Sequence, residues 1–358
     1  VWGGRNAEFK NSDSKVWLDR MAEKGWTVPT WPTRYGGGGL DREQARILDE
    51  EMQTLNCRSP LASFGIWMLG PVLLESGNED QRLEHLPPIA RGEIRWCQGY
   101  SEPGAGSDLA GLQTRAEDRG DHYLVNGQKI WTSYANFADW IFCLVRTDSS
   151  LKHGGISFLL FDMKTPGVET RPIKLISGAS VFCETFFTDV EVPKGNLVGE
   201  VNGGWQIAKA LLGHERKMIS QMGVRGASRL PSSLELARHY LDEPKGQLSD
   251  GIARAKLASL LMDDEAFALT SRRISKSPNA GALASMLKYY GTEQNKRKFE
   301  LLIQLAGSDG LGWAGEEFSQ NDLELTRQWL RSKGNSIEGG TSEIQLNVVA
   351  KRVLGLPD

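Results

Sequence analysis

The hydrophobic period of the chain changes twice along its length, and that switch limits the folds open to it. Over residues 14–91 apolar side chains recur at three- and four-residue spacings on a charged background: Trp17, Leu18 and Met21, then Ala45, Leu48, Met52 and Leu55. A 3.6-residue turn brings such positions onto one face, so this stretch reads as amphipathic helices. After Gly92 the period falls to two. Residues 122–130 read as a hairpin around Asn126-Gly127, and 138–146, 156–163 and 181–192 read as strands rich in aromatic and branched residues. Helical spacing returns at Trp205 and runs through Met222, then over 234–241, 252–271, 285–306 and 342–354, stopping at Gly355 with Pro357 just beyond. Helices, then strands, then helices exclude the alternating βαβ order of a parallel sheet and specify an α+β fold. The expected domains are 1–94 (helical), 95–204 (β) and 205–358 (helical), which suits a chain of 358 residues.

Composition removes several kinds of partner. Lys plus Arg is 42 against 45 for Asp plus Glu, a net charge of −3. With no basic run of five residues, neither nucleic acid nor an anionic membrane surface is expected as a partner. The longest uncharged apolar stretch, 64–74, contains Gly65, Gly70 and Pro71 and falls far below the ~18–20 residues of a membrane span. Cys57, Cys97, Cys143 and Cys183 are widely spaced and form no CxxC, which suits neither a disulfide framework nor zinc; a reducing, cytoplasmic compartment is expected. His85, His122, His153 and His239 match no ligand spacing, so no metal is expected. The four glycines at 36–39 lack a following Gly-Lys-Ser/Thr and read as a turn.

Four segments carry chemistry: YSEPGAGSDLAG from Tyr100, NGQKIWTS ending at Ser133, FTDVEVP with NLVGEVNGGW, and EGGTSEIQLNVVAKRVLGLP from Glu338. Gly104-Ala-Gly106 is no dinucleotide fingerprint, because it precedes a strand pattern instead of opening a helix. Together, in this order and at these intervals, the four segments resemble the acyl-CoA dehydrogenases over nearly the whole chain. The resemblance implies a helical N-terminal domain, a β-barrel-like middle domain and a C-terminal four-helix bundle. It also implies a bound FAD that oxidises an acyl-CoA thioester to the 2,3-enoyl thioester in fatty-acid β-oxidation, with an electron-transferring flavoprotein as acceptor.

Carried over by motif, the resemblance places the flavin ring against Gln98, Tyr100 and Ser101 and against Trp131, Thr132 and Ser133, with Ser133 near the reactive nitrogen. Ser107 would contact cofactor or thioester, Gly339 the substrate, and Thr341 and Glu343 the FAD. Short polar side chains of this kind hold a ring edge without adding competing charge. The 339–345 segment is in itself a flexible turn entering a helix, and Ser342-x-x-Gln345 has capping-box spacing. A helix N-terminus offers free N–H groups to a diphosphate or carbonyl oxygen.

Removing the proton α to a thioester needs a carboxylate held in a dry pocket. Many family members take it from the Glu of a Glu-Gly-Thr element, but alignment on Gly340-Thr341 puts Gly339 at that position here. A second family solution sets the Glu before an Arg on the first C-terminal helix, and His214-Glu215-Arg216 matches it. The residue pattern supports this independently. Trp205, Ala208, Leu212, Glu215, Ile219 and Met222 lie on one helical face, so Glu215 interrupts an apolar stripe. Positions 211, 212, 218 and 219 are Leu, Leu, Met and Ile, so its own helix supplies no cation at i±3 or i±4. Glu215 is the expected base, with Arg216 placing the substrate; Glu338, one residue out of register, is the second candidate.

Two elements that hold a neighbour's FAD in homotetrameric members are altered. No Arg-x-x-Phe-Gly appears in 237–246, and the Gln-x-x-Gly-Gly element keeps Gln304 and Gly307 but has Ser308 next. These losses suggest a divergent bacterial-type member, a homo- or hetero-oligomer (dimer or tetramer). Two alternatives stand beside the dehydrogenase reading: an FAD-poor partner subunit of a heterotetramer, and an acyl-CoA oxidase.

Overall fold

The computed structural model describes the chain over residues 1–225, 230–241, 248–275, 277 and 280–357, with the side chains of 216–225, 275 and 280 outside the description. Contacts divide the chain into two compact units, Val1–Ile173 with Ser180–His214, and Lys174–Ala179 with Glu215–Asp358.

The first unit holds the N-terminal helices and the β domain. Helices α1 (Ser12–Glu23), α2 (Arg42–Thr54), α3 (Gly70–Ser76) and α4 (Glu79–Arg91) start on side-chain caps where the sequence provides them. Asn78 caps α4 in a reciprocal box with Gln81. The same Gln81, almost fully buried, reaches out of its helix to donate to the carbonyls of Gly195 (2.8 Å) and Leu197 (2.7 Å), tying α4 to the β domain. The glycine tract is a packed turn, as expected, and it demands glycine: a Cβ on Gly37 would lie 2.2 Å from the Trp31 carbonyl oxygen.

Strands β1 (Trp96–Gly99), β2 (Arg115–Asp118), β3 (His122–Ser133), β4 (Trp140–Arg146), β5 (Ile156–Asp162), β6 (Val168–Ile173) and β7 (Phe182–Pro193) form one curled seven-stranded sheet. Its order is β1-β4-β2-β3-β7-β6, with β5 on β4. The ladders are antiparallel except where β4 meets β1 and β2. Inward residues from β1, β3, β4, β5 and β7 pack into one core around Val125, Ile141, Phe161, Phe187 and Val190, and Cys97, Cys143 and Cys183 are buried within it.

One expected element is corrected here. Asn126-Gly127 is not a hairpin turn: β3 runs through it, and the turn that joins β2 to β3 lies at 119–121, where Arg119 N–H donates to the His122 carbonyl. Asn126-Gly127 instead forms a bulge against β7. Gly127 adopts φ 150°, with Thr114 so close that a Cβ would fall 2.6 Å from its Cα, and the Asn126 amide exchanges two hydrogen bonds with Asp189 across the ladder. Packing on both sides overrides the local turn preference.

The second unit is helical. It takes the C-terminal part of α5 (Gly204–Arg225), then α6 (Ser233–Tyr240), α7 (Gly251–Ser275), α8 (Ala280–Ala306), α9 (Gln320–Ser332) and α10 (Ser342–Arg352). Helix α8 is the spine on which α6, α7, α9 and α10 pack. Leu236, Phe299, Leu302 and Leu325 form one core beside it, and Ala237, Leu257, Leu260 and Leu301 another.

Candidate active site

The expected site residues fall on both units, and each set has its own supports. In the first unit, Gln98 sits in β1 opposite Phe142 of β4, half-buried. Tyr100 follows, 4% exposed, its ring edge-on to Phe142 and Phe158. Half-buried Ser101 is held beside β3 because its carbonyl accepts the Ile130 N–H (2.9 Å). The loop then swings outward, leaving Ser107 exposed and open space around Gly104 and Gly106.

What fixes this loop is a pair of buried cations that the motif reading missed. Lys129, fully buried in β3, donates to the Tyr100 carbonyl (3.1 Å) and to the Glu102 carboxylate (2.7 Å). Glu102 also accepts the N–H groups of Gln113 (2.6 Å) and Thr114 (2.9 Å), closing the loop on itself. Burial raises the Glu102 carboxyl, but the Lys129 charge and these hydrogen bonds outweigh it and hold the group below its ordinary pKa. Arg146 of β4 gathers the far end, donating to the carbonyls of Ala110, Leu112, Leu151 and Lys152. A lysine at an inward position of a strand was the available signal.

Trp131 adopts φ 60° and breaks the β3–β7 register between Lys129 and Thr132. A left-handed tryptophan is strained, and the consequence is that its indole is 52% exposed, edge-on to Phe182. Thr132 turns the other way and is fully buried, its hydroxyl inside the sheet, so it reaches a ligand only through its backbone. Ser133 returns to a half-buried position. This unit therefore offers a planar ring an exposed indole and two half-buried serines, Ser101 and Ser133. A separate cavity of about 1260 Å³ in this unit, walled by Trp2, Arg95, Tyr134, Phe137 and Asp139, contains none of the expected cofactor or substrate residues.

In the second unit, Glu215 is half-buried on α5; the Arg216 side chain, and those of Ile219 and Met222 on the same face, lie outside the described residues, as do residues 242–246 of the 237–246 stretch read for Arg-x-x-Phe-Gly. Glu338 is clamped: Arg331 donates to one carboxylate oxygen (2.5 Å) and Asn335 to the other (2.6 Å). Both oxygens are thus committed to donors within the protein. Gly339 and Gly340 both have positive φ (62° and 90°), and this shifts the helix start. The α10 cap is Thr341, whose hydroxyl accepts the Ile344 N–H (3.3 Å); the expected Ser342-x-x-Gln345 box is absent, because the two glycines end the turn one residue earlier and put Ser342 inside the helix. Ser342 instead donates to Glu293 (3.0 Å), and Gln345, 1% exposed, donates back to the Gly339 carbonyl (3.0 Å). Exposed Glu343 is held below its ordinary pKa by the α10 backbone N–H groups and by Thr341.

Burial lowers the pKa of Lys288 on α8, 1% exposed, and the carboxylates of Glu338, Glu293, Glu343 and Glu215, in that order, oppose the shift. Lys288 donates to the Gly340 carbonyl at 2.6 Å. The Gly339–Thr341 turn is thereby brought to a buried ammonium. Gln304 and Gly307 are not: exposed at the C-terminal end of α8, they stand sixteen or more residues beyond Lys288, about 24 Å at 1.5 Å per residue.

The sequence itself matches three family descriptions in series: acyl-CoA dehydrogenase N-terminal domain over residues 3–93, middle domain over 97–190 and C-terminal domain over 202–354. Acyl-CoA dehydrogenase IpdE1 of Mycobacterium tuberculosis is 35% identical over 99% of this chain and 91% of its own. Among solved structures, the Tcur3481-Tcur3483 steroid ACAD superposes with a TM-score of 0.80 at 30% identity, covering 97% of this chain and 90% of that one. The ChsE4-ChsE5 complex from Mycobacterium tuberculosis does so with 0.78 at 30%, covering 96% and 90%. Among the described residues no helix is long and apolar enough to cross a membrane. With each domain matched in order along almost the whole chain, the protein belongs to the acyl-CoA dehydrogenases, a flavoprotein family of oxidoreductases in fatty-acid and lipid β-oxidation.

Proposed function

We propose that the chain is an FAD-dependent enzyme that introduces the 2,3 double bond into an acyl-CoA thioester, with Glu215 as the base that takes the α-proton. The observation that supports this reading is half-buried Glu215 on α5 together with a turn that holds Gly339 where many relatives hold the base. Bound FAD supplies the acceptor for the hydride that leaves the β-carbon. The chain's own contribution is binding and proton handling. Trp131, Ser101 and Ser133 present the ring-sized surface, Gln98 and Tyr100 back it, and Thr132 adds its backbone. Ser107, Arg216 and Gly339 are the proposed thioester contacts, and Thr341 and Glu343 the cofactor contacts at the α10 start. Gln304 and Gly307, about 24 Å away along α8, suit a cofactor held by another subunit. Glu215 starts ionised, accepts the proton and becomes neutral as negative charge moves to the thioester oxygen, where hydrogen-bond donors stabilise it.

Glu215→Gln keeps the fold and the flavin but lowers turnover by about 10²–10⁴-fold, the usual worth of a general base. Near-normal turnover would remove Glu215 from the role and bring Glu338 forward. The acyl group is sought by anaerobic titration of the flavin's visible band with a thioester panel. Steroid-derived thioesters come first, because a steroid ACAD is among the similar structures. An electron-transferring flavoprotein is the proposed acceptor, against which oxygen consumption tests the oxidase alternative.

A partner-subunit role is the second reading. The absent Arg-x-x-Phe-Gly element favours it, as do the similar Tcur3481-Tcur3483 and ChsE4-ChsE5 structures, each named for two proteins. A chain that stays colourless with FAD alone and gains flavin on co-expression with a related chain would establish it.

A further inference from the structure

Arg95, the residue before β1, is held firmly by its backbone and left open at its guanidinium. Its N–H donates to Asp139 Oδ2 (2.9 Å), and its carbonyl accepts the N–H groups of Asp139 (2.8 Å) and Trp140 (3.1 Å). The side chain then enters a box of rings. The guanidinium lies 5.1 Å from the centres of both Trp2 and Tyr134 and 5.5 Å from that of Phe137. Ring faces attract a cation, but they accept none of the in-plane hydrogen bonds that its five N–H groups can donate. Among the described residues no carbonyl or carboxylate accepts from this guanidinium, although it is half-buried and burial lowers its pKa. A charged group withdrawn from water without an acceptor is costly unless a ligand supplies one.

The surroundings define what such a ligand carries. Arg95 and its three rings belong to the wall of the cavity of about 1260 Å³ in the first unit. Tyr134 is kept in a left-handed backbone (φ 54°) and Phe137 is exposed, two features that are costly without an apolar occupant. On the same wall Trp17 is fixed by its indole N–H, which donates to the Arg58 carbonyl (3.0 Å). The other charged side chains of the wall balance among the described residues, Lys10, Arg58 and Lys164 against Glu8, Asp13 and Asp139. Arg95 is left as one net positive charge, and Asp139 at its root disfavours a dianion. A single planar carboxylate meets both conditions, because it takes the fork of an arginine edge-on while aromatic rings cover the arginine's faces.

We propose that this cavity is a binding site for an apolar carboxylic acid, with its carboxylate on the Arg95 guanidinium and its hydrocarbon body against Trp2, Trp17 and Phe137. The proposal stands whether or not Glu215 is the base.

The probe is cinnamate, titrated calorimetrically into the full chain beside its neutral counterpart, cinnamyl alcohol. Cinnamate binds saturably and at least about tenfold more tightly than the alcohol. Arg95→Gln weakens cinnamate by about 10- to 100-fold, the usual worth of hydrogen bonds to a charged group, and leaves the alcohol unchanged. Arg95→Lys keeps the charge without the fork and falls between. Phe137→Ala removes an exposed ring and serves if the Arg95 variants do not fold; it weakens acid and alcohol by a similar factor. Three results each overturn the proposal: no saturable binding of cinnamate, equal affinity for acid and alcohol, or a cinnamate affinity that Arg95→Gln leaves unchanged. If only Phe137→Ala folds, unchanged affinity for both ligands overturns it as well.

Discussion

Replacing Lys129 by Met tests whether the buried ion pair is what holds the Tyr100–Thr114 loop in place. Lys129 has no exposed side-chain surface and Glu102 has 7%, so the substitution leaves a carboxylate inside the β domain with two backbone N–H groups but no counter-charge. Breaking a buried pair from one side costs about 3–5 kcal/mol. For a unit of roughly 200 residues, where 1 kcal/mol moves the midpoint by about 2–4 °C, the melting temperature falls by about 6–20 °C. Lys129→Met, Glu102→Gln and the double variant form a cycle, read by thermal melts at matched protein and flavin concentrations. In the double variant the orphaned charge is gone, so it is more stable than the sum of the two singles requires. The linkage has a definite sign. Because the folded Glu102 carboxyl lies below its unfolded value, its stabilisation is present above the unfolded pKa and is lost as pH falls through the folded one. A Lys129→Met midpoint within about 2 °C of the parent, or strict additivity in the cycle, would refute the reasoning.

Two further outcomes follow from single side chains. His85 is wedged edge-on between Trp96 and Trp140, and burial lowers its pKa to about 4. Unfolded, it binds a proton from pH 6.5 downward while the folded form does not, so up to about 3 kcal/mol of stability is lost between pH 6.5 and 4; His85→Leu flattens that part of a pH–stability curve, and an unchanged slope would show His85 charged in the fold. Trp131→Gly relieves a left-handed backbone worth roughly 1–2 kcal/mol, so the cofactor-free chain melts no lower than the parent while FAD retention in gel filtration drops; full retention would remove the indole from the cofactor surface.

The helix–strand–helix order was legible because long periodic segments advertise themselves, and the family motifs marked Trp131–Ser133 and the 338–345 turn directly. Elements whose buried positions are not apolar were not legible. Helix α9 buries Asp322, Thr326 and Ser332 beside Leu323 and Leu325, which blurs its period. Strand β6 is short, mostly exposed and contains Pro172, and β1 spans four residues. At the site, the ionic anchors stayed hidden for a topological reason: Lys129 meets a carboxylate 27 residues earlier and Lys288 a carbonyl 52 residues later, and no spacing rule for one helix or strand spans such distances.

Cys97, Cys143 and Cys183, on β1, β4 and β7, are sealed in the sheet core, and burial pushes the Cys143 thiol up to about 12 and the other two upward as well. Only Cys57 of the four keeps partial access to solvent. Since alkylation requires an accessible thiolate, a thiol reagent reads this molecule at two speeds. Cys57 reacts at the surface rate, and the three interior sulfurs react only as often as strands part. Mass spectrometry of the adducts over time therefore gives a clock for the opening of the β domain, built from residues that have no part in the chemistry.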